Sequence, residues 1–190
     1  ARQQEKSHKS IIRLSDSLTQ ANKSYSRFVP KQLLVLLNKK SLVDIKPGDW
    51  ISKKVTLLCF DIKNFSHLNE DSSPKEIFTL LNMILGKISP IVREEGGFIE
   101  KYLGDGIIAL FPENNDKAAL CALKIHKEMI RLRSELEKQG KPTLKIGIGL
   151  HYGTVVLGTV GDDERMNEII VSPDIDTVIT MESLTKTFDK

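Results

Sequence analysis

Two aspartates stand where apolar runs meet turns, and their placement suggests chemistry on a charged ligand. Asp61 directly follows the apolar run VTLLCF, and Asp105 lies between two glycines before the run IIALF. Two carboxylates held close together repel each other unless a cation lies between them. Mg²⁺ takes few protein oxygens and fills its remaining positions with water or phosphate. A metal and phosphate site is therefore one interpretation, and a turn aspartate plus an unrelated strand-end cap is the other.

For the two aspartates to meet, they must lie at one edge of a shared sheet. The β-branched run VTLLCFDI predicts a strand that is buried on both faces. GGFIEKYL and GIIALF predict two further strands joined by the hairpin turn Gly104-Asp105-Gly106. TLKIGIGLHYG and TVVLGTVG predict another strand pair, which turns at Tyr152-Gly153.

Two amphipathic helices are expected between these strands. The first begins at Pro74 and runs to about Val92, and the second covers about Asn115 to Glu137. Their core faces are predicted to carry Ile77, Leu80, Leu81, Ile84 and Ile88 in the first helix, and Ala119, Ala122, Leu123, Ile125 and Met129 in the second. The order β-α-β-β-α-β predicts an α+β, ferredoxin-like fold. In that topology the third strand lies between the first and second, so the two aspartates reach the same edge of the sheet.

The first 50 residues predict a helical segment that precedes the sheet domain. Apolar residues alternate three and four positions apart, as in a heptad seam: Ile11, Leu14, Leu18, Ala21, Tyr25 and Phe28. A coiled-coil dimer stem and a helix packed on its own domain both fit this seam. Pro30 begins the short amphipathic run PKQLLVLLNKK, and KPGDW predicts a turn. We therefore divide the chain into a helical linker, residues 1–50, and a globular domain, residues 51–190.

Composition argues against several classes of protein. Lys and Arg number 28 and Asp and Glu 25, so the charge gives no reason to expect nucleic acid as a partner. Cys59 and Cys121 lie in apolar segments without metal-ligand spacing, which predicts buried thiols in a reducing compartment. No apolar run approaches the ~20 residues of a membrane span. Because the chain begins without Met and ends at SLTKTFDK, we expect a fragment of a longer protein. We expect the domain itself to be cytoplasmic, and a membrane anchor elsewhere in the parent protein is left open.

Several motifs, in order along the chain, give a family resemblance. VTLLCFDIKNFSHL, GGFIEKYLGDGIIALF, KIGIGLHYGTVVLGTVGDDERM and ESLTK together resemble the class III adenylate and guanylate cyclase catalytic domain over about residues 52–186. The preceding ANKSYSRFVPKQLLVLL is similar to the lead-in of bacterial signalling cyclases, which implies a sensor domain upstream. Family members carry further strands after the ESLTK helix, so residues 51–190 are expected to be a cyclase domain truncated at its C-terminus.

The resemblance implies conversion of ATP to 3′,5′-cyclic AMP and pyrophosphate at a dimer interface, with two Mg²⁺ or Mn²⁺ ions. It makes Asp61 and Asp105 the catalytic metal ligands and adds the carbonyl of Ile62 as a further ligand. Phe65 and Ser66 lie where the backbone amides of the family meet the phosphates.

The residues that should read the nucleotide match the family only in part. Lys101, four positions before Asp105, resembles the lysine of adenine-selective members, although a solvated strand lysine is the alternative. Aligning RM and ESLTK without gaps places Ile169, Asp176 and Thr180 where the family has an Asp or Thr for adenine, an Asn for ribose and an Arg for phosphate. Losing one electrostatic donor of that kind commonly costs about two to three orders of magnitude in rate.

These three departures leave two hypotheses open. In the first, the chain supplies the metal ligands in a heterodimer with a cyclase domain that keeps the Asn and the Arg, and its own homodimer is weak or inactive. In the second, the chain is a degenerate cyclase homology domain that binds a nucleotide or only dimerises and regulates another activity.

Overall fold

The computed structural model describes residues 2–25, 31–63, 65, 73–113, 115–140, 144–162 and 164–185. The chain divides into two compact units, Ala1–Asp44 and Ile45–Lys190. Within the described ranges, no helix combines the length and the apolar character that a bilayer-spanning segment needs.

The N-terminal unit is helical, as its heptad spacing predicts. Helix α1 spans Arg2–Tyr25, a short helix α2 spans Lys31–Leu36, and a 3₁₀ turn covers Leu42–Asp44. Ile11 and Leu14 of the α1 seam are each 65% exposed. The last seam residue and the proline that follows it lie outside the described residues, and the coiled-coil interpretation stays a prediction.

Among the described residues of the C-terminal unit, five antiparallel strands form one sheet. The strands are β1 Trp50–Lys63, β2 Phe98–Leu103, β3 Gly106–Phe111, β4 Lys145–Gly161 and β5 Met166–Val171. Their spatial order is β2-β3-β1-β4-β5. The third strand therefore lies between the first and the second, which confirms the predicted α+β, ferredoxin-like topology.

In the described part of this unit, three helices pack against the sheet. Helices α3 (Pro74–Glu94) and α4 (Asn115–Lys138) were both predicted from their apolar periodicity, and they cover one face. Helix α5 (Pro173–Leu184) covers the other face, where it packs on β4 and β1. The sheet is thus enclosed on both sides along β1, which explains why that strand reads as an almost continuous apolar run.

The main core lies between the sheet and helices α3 and α4. Alternate side chains of the two central strands point into it. Its buried members include Leu58, Phe60 and Ile62 of β1, Ile107, Ala109 and Phe111 of β3, Ile84, Ile88 and Val92 of α3, and Ile125, Met129 and Leu132 of α4. Burying each large apolar side chain of this kind contributes about 1.5–3 kcal/mol, so the core fixes the position of β1 and of the residues at its end.

The start of α3 is encoded locally. Ser73 caps the helix by accepting a hydrogen bond from the backbone N–H of Glu76, and the Glu76 side chain accepts one from the Ser73 N–H at 2.9 Å. Pro74 occupies the first helical turn, where its missing N–H has no cost. The helix therefore begins where the sequence predicts it.

One prediction about the strands is wrong. TLKIGIGLHYG and TVVLGTVG do not form a pair that turns at Tyr152-Gly153, because β4 continues through both residues and pairs with β1 from Lys145 to Gly158. A Cβ on Gly153 would collide with the carboxylate of Asp174 in α5. This glycine therefore serves the close approach of a helix and not a turn.

The predicted core face of α4 is also wrong in part. Ala119 and Leu123 are exposed, whereas the buried positions are Ala118, Cys121, Ile125, Met129, Leu132 and Leu136. Apolar residues surround the helix at its start, in AALCAL, so that stretch alone does not define a face. The spacing in the second half of the helix decides which side is buried.

Strand β5 was not predicted from the sequence. It pairs with the last six residues of β4, from Val156 opposite Val171 to Gly161 opposite Met166. The C-terminal part of β4 thus forms hydrogen bonds with edge strand β5.

Candidate active site

The C-terminal end of β1 carries Asp61. The strand pairs with β4 on one side and with β3 on the other, and the β4 ladder places Asp61 opposite Gly147. Phe60 and Ile62 on either side of it are buried in the main core. Because side chains alternate along a strand, Asp61 lies on the other face, half-buried.

Asp105 lies in the two-residue turn between β2 and β3. Leu103 pairs with Gly106 to close the hairpin. Gly104 has a positive φ of 68° and Asp105 does not, as in hairpin turns with glycine at the first central position. The turn requires a positive φ at Gly104 only. Its geometry therefore does not explain why position 105 carries a carboxylate.

Gly106 brings the two aspartates together. A Cβ at this position would lie 2.6 Å from the carbonyl oxygen of Phe60 and 3.0 Å from Oδ1 of Asp61. The Asp61 carboxylate therefore lies against the residue that directly follows Asp105. Both carboxylates are half-buried at one end of the sheet, so the structure places them at the common edge that the topology predicted.

This arrangement fits a hard divalent cation with few protein ligands. Carboxylate oxygens are the donors that Mg²⁺ and Mn²⁺ take, with water or phosphate completing the shell. Within the part of the chain that the structure describes, no three His, Cys, Asp or Glu side chains converge on one point. The donor set that fits such a cation is the pair of aspartates, together with a backbone oxygen and a phosphate of the ligand.

The three other residues predicted near the metals and phosphates have different outcomes. The side chain of Ile62 is buried in the core, which leaves its backbone as the only group available to a ligand. Phe65 is likewise buried in the core and anchors the start of the segment after β1. Ser66 lies outside the described residues.

Lys101 lies on edge strand β2 with its side chain exposed. A bulge between Ile99 and Lys101 lets Glu100 and Lys101 lie opposite the single residue Ile108. Burial raises the pKa of the Glu100 carboxyl, and the charge of Lys101 partly opposes this. The bulge thus turns a charged pair toward the face of the sheet that carries Asp61.

The three altered family positions lie on β5 and α5. Ile169 is on edge strand β5 and is 36% exposed. Asp176 and Thr180 are one turn apart on the exposed side of α5, and the Thr180 hydroxyl donates to the Asp176 carbonyl oxygen at 2.7 Å. That side of the helix therefore presents a carboxylate and no cation.

Hydrogen bonds of Ser172 and Asp174 with β4 hold the start of helix α5 on the sheet, and we call this group the polar clamp. Asp174 accepts a hydrogen bond from the Thr154 backbone N–H at 2.8 Å, and its other oxygen lies 2.9 Å from His151 Nε2. Ser172 caps the helix and donates to the Thr154 carbonyl at 2.7 Å. The hydrogen bonds from His151 and Thr154 lower the pKa of the Asp174 carboxyl. This clamp fixes where the first turn of α5 lies on the sheet.

Glu168 is a titratable residue that sequence reasoning missed. Burial, and to a smaller extent the charge of Glu100, raises the pKa of its carboxyl to about 7. Glu100 directly precedes Lys101, and Glu168 directly precedes Ile169. Each acid is therefore next to one of the two positions that the resemblance assigns to the nucleobase. Strongly shifted acids are common at functional sites, but NEIIVS contains no local signal of this burial.

Comparison with known proteins supports one family. The family model described as "Adenylate and Guanylate cyclase catalytic domain" matches residues 51–187. An adenylate cyclase of Anabaena cylindrica is 34% identical over 170 residues, which cover 87% of this chain and 34% of that protein. The chain thus spans about a third of the length of this relative.

Two solved structures share the fold. A bacterial light-regulated adenylyl cyclase superposes with a TM-score of 0.80 at 26% identity, over 94% of this chain and 53% of its own. The adenylyl cyclase CyaB from P. aeruginosa superposes with a TM-score of 0.65 at 29% identity, over 71% of this chain and 74% of its own.

Proposed function

The chain belongs to the class III adenylate and guanylate cyclase family, and from this premise we propose that it supplies the metal-binding half of an ATP-cyclising site at a dimer interface. The reaction joins the ribose 3′-oxygen to the α-phosphorus and breaks the bond from that phosphorus to the oxygen shared with the β-phosphate. The 3′-hydroxyl proton leaves, and pyrophosphate is released. Asp61, Asp105 and Lys101 carry the proposal, with two Mg²⁺ or Mn²⁺ ions as cofactors.

The contact between Asp61 and Gly106 is the main support for a metal site. It places one carboxylate beside the residue that follows Asp105, at the end of a strand held by the core. Divalent ions at such a site supply Lewis-acid stabilisation of the attacking and leaving oxygens. The role of the two aspartates is to hold those ions in place, and the rigidity of β1 and of the hairpin limits how far either carboxylate moves.

Lys101 supports ATP as the substrate. Its ammonium is exposed on β2 and would donate a hydrogen bond to a ring nitrogen of adenine, which is an acceptor where the corresponding nitrogen of guanine is a donor. Relatives named as adenylate cyclases, including that of Anabaena, are consistent with this choice.

The altered positions support low activity of the chain on its own. Asp176 brings a negative charge to the side of α5 where the family presents ribose and phosphate contacts, and Thr180 supplies no cation for charge that develops on the phosphates. We therefore infer that the efficient assembly is a heterodimer whose other cyclase domain keeps the Asn and the Arg. The upstream sensor and the cytoplasmic location stay predictions.

The test mixes two proteins. The chain is assayed with Mn²⁺ and ATP alone, and then with a second cyclase domain that keeps Asn and Arg but has its own metal aspartates changed to Asn. We expect turnover only in the mixture and its loss with Asp61→Asn. Asp16→Asn, the same chemical change on the exposed side of α1, is the matched control. Strong turnover by the chain alone, abolished by Asp61→Asn, would refute the claim that its homodimer is weak.

A second candidate function follows from the same altered residues. A domain that keeps Asp61 and Asp105 but presents Ile169, Asp176 and Thr180 has the groups to bind a metal–nucleotide complex without turning it over. Such a domain would act as a regulatory binding module in a dimer. Titration with Mn²⁺ and a non-hydrolysable ATP analogue distinguishes the two. Metal-dependent binding with no turnover in any mixture would favour the module.

A further inference from the structure

Glu182 is a buried carboxylate that the proposed reaction does not use. It lies in the last turn of α5 and is 2% exposed. A Cβ on Gly147 would collide with Glu182 Oε1, and a Cβ on Gly149 would lie 2.7 Å from the Glu182 backbone nitrogen. The end of the helix therefore rests directly on the backbone of β4, and the Glu182 carboxylate fills the space above Gly147.

The β1–β4 ladder shows which side chains surround that space. Gly147 pairs with Asp61, and Lys145 pairs with Lys63. Alternation places all four on the face that α5 covers. Directly paired residues have Cβ atoms about 4.5–5.5 Å apart, and diagonal neighbours are about 7–8 Å apart, within reach of long side chains. A carboxylate in the place of a Gly147 side chain therefore lies directly beside Asp61 and diagonally from Lys63, whose long side chain can reach it.

Lys63 is held at the same helix end. Its side chain is only 8% exposed, and Nζ donates to the carbonyl oxygen of Thr185 at 2.7 Å. The Thr185 hydroxyl in turn donates to the carbonyl oxygen of Glu182 at 2.6 Å. A buried ammonium requires a nearby negative charge, and the ladder offers it two: Glu182 above the sheet and Asp61 two residues back on its own strand.

We propose that Glu182 is a positioning residue that holds the Lys63 ammonium at the end of α5 and so keeps the Asp61 carboxylate available to a divalent cation. Without the Glu182 charge, Lys63 turns to Asp61 and competes with the metal. This inference rests on the proposed function, in which Asp61 is a metal ligand. It makes α5, the helix that carries the altered positions, a determinant of metal affinity at the end of β1.

The test is a charge cycle read by Mn²⁺ binding. Free Mn²⁺ is measured by electron paramagnetic resonance in titrations of the full chain with a non-hydrolysable ATP analogue present. Glu182→Gln keeps the shape above Gly147 and is expected to weaken Mn²⁺ binding about tenfold. Lys63→Met leaves an uncompensated carboxylate beside Asp61 and is expected to tighten binding about threefold. The double variant is expected to return close to the wild-type affinity.

Controls separate this role from simple packing. Glu137→Gln, on the exposed side of α4, should leave Mn²⁺ affinity unchanged, and thermal unfolding of the metal-free protein reports stability for every variant. A folded Glu182→Gln protein with wild-type affinity, or affinities that fall in both single variants, overturns the proposal. Should Glu182→Gln fail to fold, Lys63→Met decides alone, because unchanged or weaker binding overturns the proposal. Wild-type binding that is insensitive to Asp61→Asn refutes the metal site itself and therefore the proposed function.

Discussion

The two halves of the candidate site differ in what they keep. The end of β1 and the β2–β3 hairpin carry Asp61, Asp105 and the glycine that brings them together, and the two aspartates stand where the resemblance places the metal ligands. Strand β5 and helix α5 lie in the same fold but carry Ile169, Asp176 and Thr180 at the three positions that the resemblance assigns to the nucleotide. The same sheet and helices are therefore compatible with different functional groups at these three positions.

The physical reason lies in which side of α5 each residue occupies. Val178 and Glu182 are buried against β4, and Gly147 and Gly149 opposite them let the helix approach the strand closely. Asp176 and Thr180 are on the exposed side, where a change of side chain costs the fold little. On this short helix, the buried residues are therefore constrained by packing and the exposed residues only by function. A similar fold can for this reason carry different functional groups.

The largest expected effect is at the metal half. Asp61→Asn or Asp105→Asn should lower turnover of the mixed dimer by at least about a hundredfold, because each removes a charge that holds the ions opposite the triphosphate. Cyclic AMP formation in the presence of the Asn- and Arg-containing partner measures this. Similar turnover in both variants and the wild type would show that the two aspartates do not hold the catalytic metals.

Restoring the other half should produce a gain of somewhat smaller size. The double change Asp176→Asn and Thr180→Arg replaces a repelling carboxylate and supplies a cation for the phosphates. We expect the chain alone to gain roughly ten- to a hundredfold in Mn²⁺-dependent turnover. Asp176→Asn with Thr180→Gln, which has similar polarity without the charge, is the control. No gain in the double variant would show that these positions do not limit the homodimer.

The close packing of α5 on β4 can be tested by measuring protein stability. Gly147→Ala places a methyl group against the Glu182 carboxylate and should lower the free energy of unfolding by about 1–3 kcal/mol. Gly86→Ala is the matched control, since Gly86 is in the middle of α3 with nothing within 4 Å of its Cβ position, and it should raise stability by up to about 1 kcal/mol. Urea denaturation measures both. A neutral Gly147→Ala variant would show that the helix has room to shift on the strand.

Sequence reasoning succeeded where local pattern and topology agree. The capping box at Ser73, the apolar run ending at Asp61 and the hairpin around Asp105 are local signals, and the order of elements then determined the neighbours of β1. It failed at Tyr152-Gly153 because a glycine needed for contact with a distant helix looks the same in sequence as a turn glycine. It also missed Glu168 and Glu182, whose burial depends on elements that are far away along the chain.

The smallest expected effect concerns Glu168, the acid beside Ile169 in the altered half. Its pKa rises from 4.5 to about 7 in the folded state. Between these values the unfolded chain ionises Glu168 while the folded chain keeps it protonated, so stability falls as pH rises through this window and the loss is complete above about pH 7. Glu168→Gln removes the titration and should stabilise the protein at pH 8 by about 1–2 kcal/mol after allowance for solvent screening. At pH 4 little difference is expected. Urea denaturation of both proteins at the two pH values measures it, with exposed Glu164→Gln as control, and equal stabilities at pH 8 would mean that Glu168 is ionised at little cost in the folded protein.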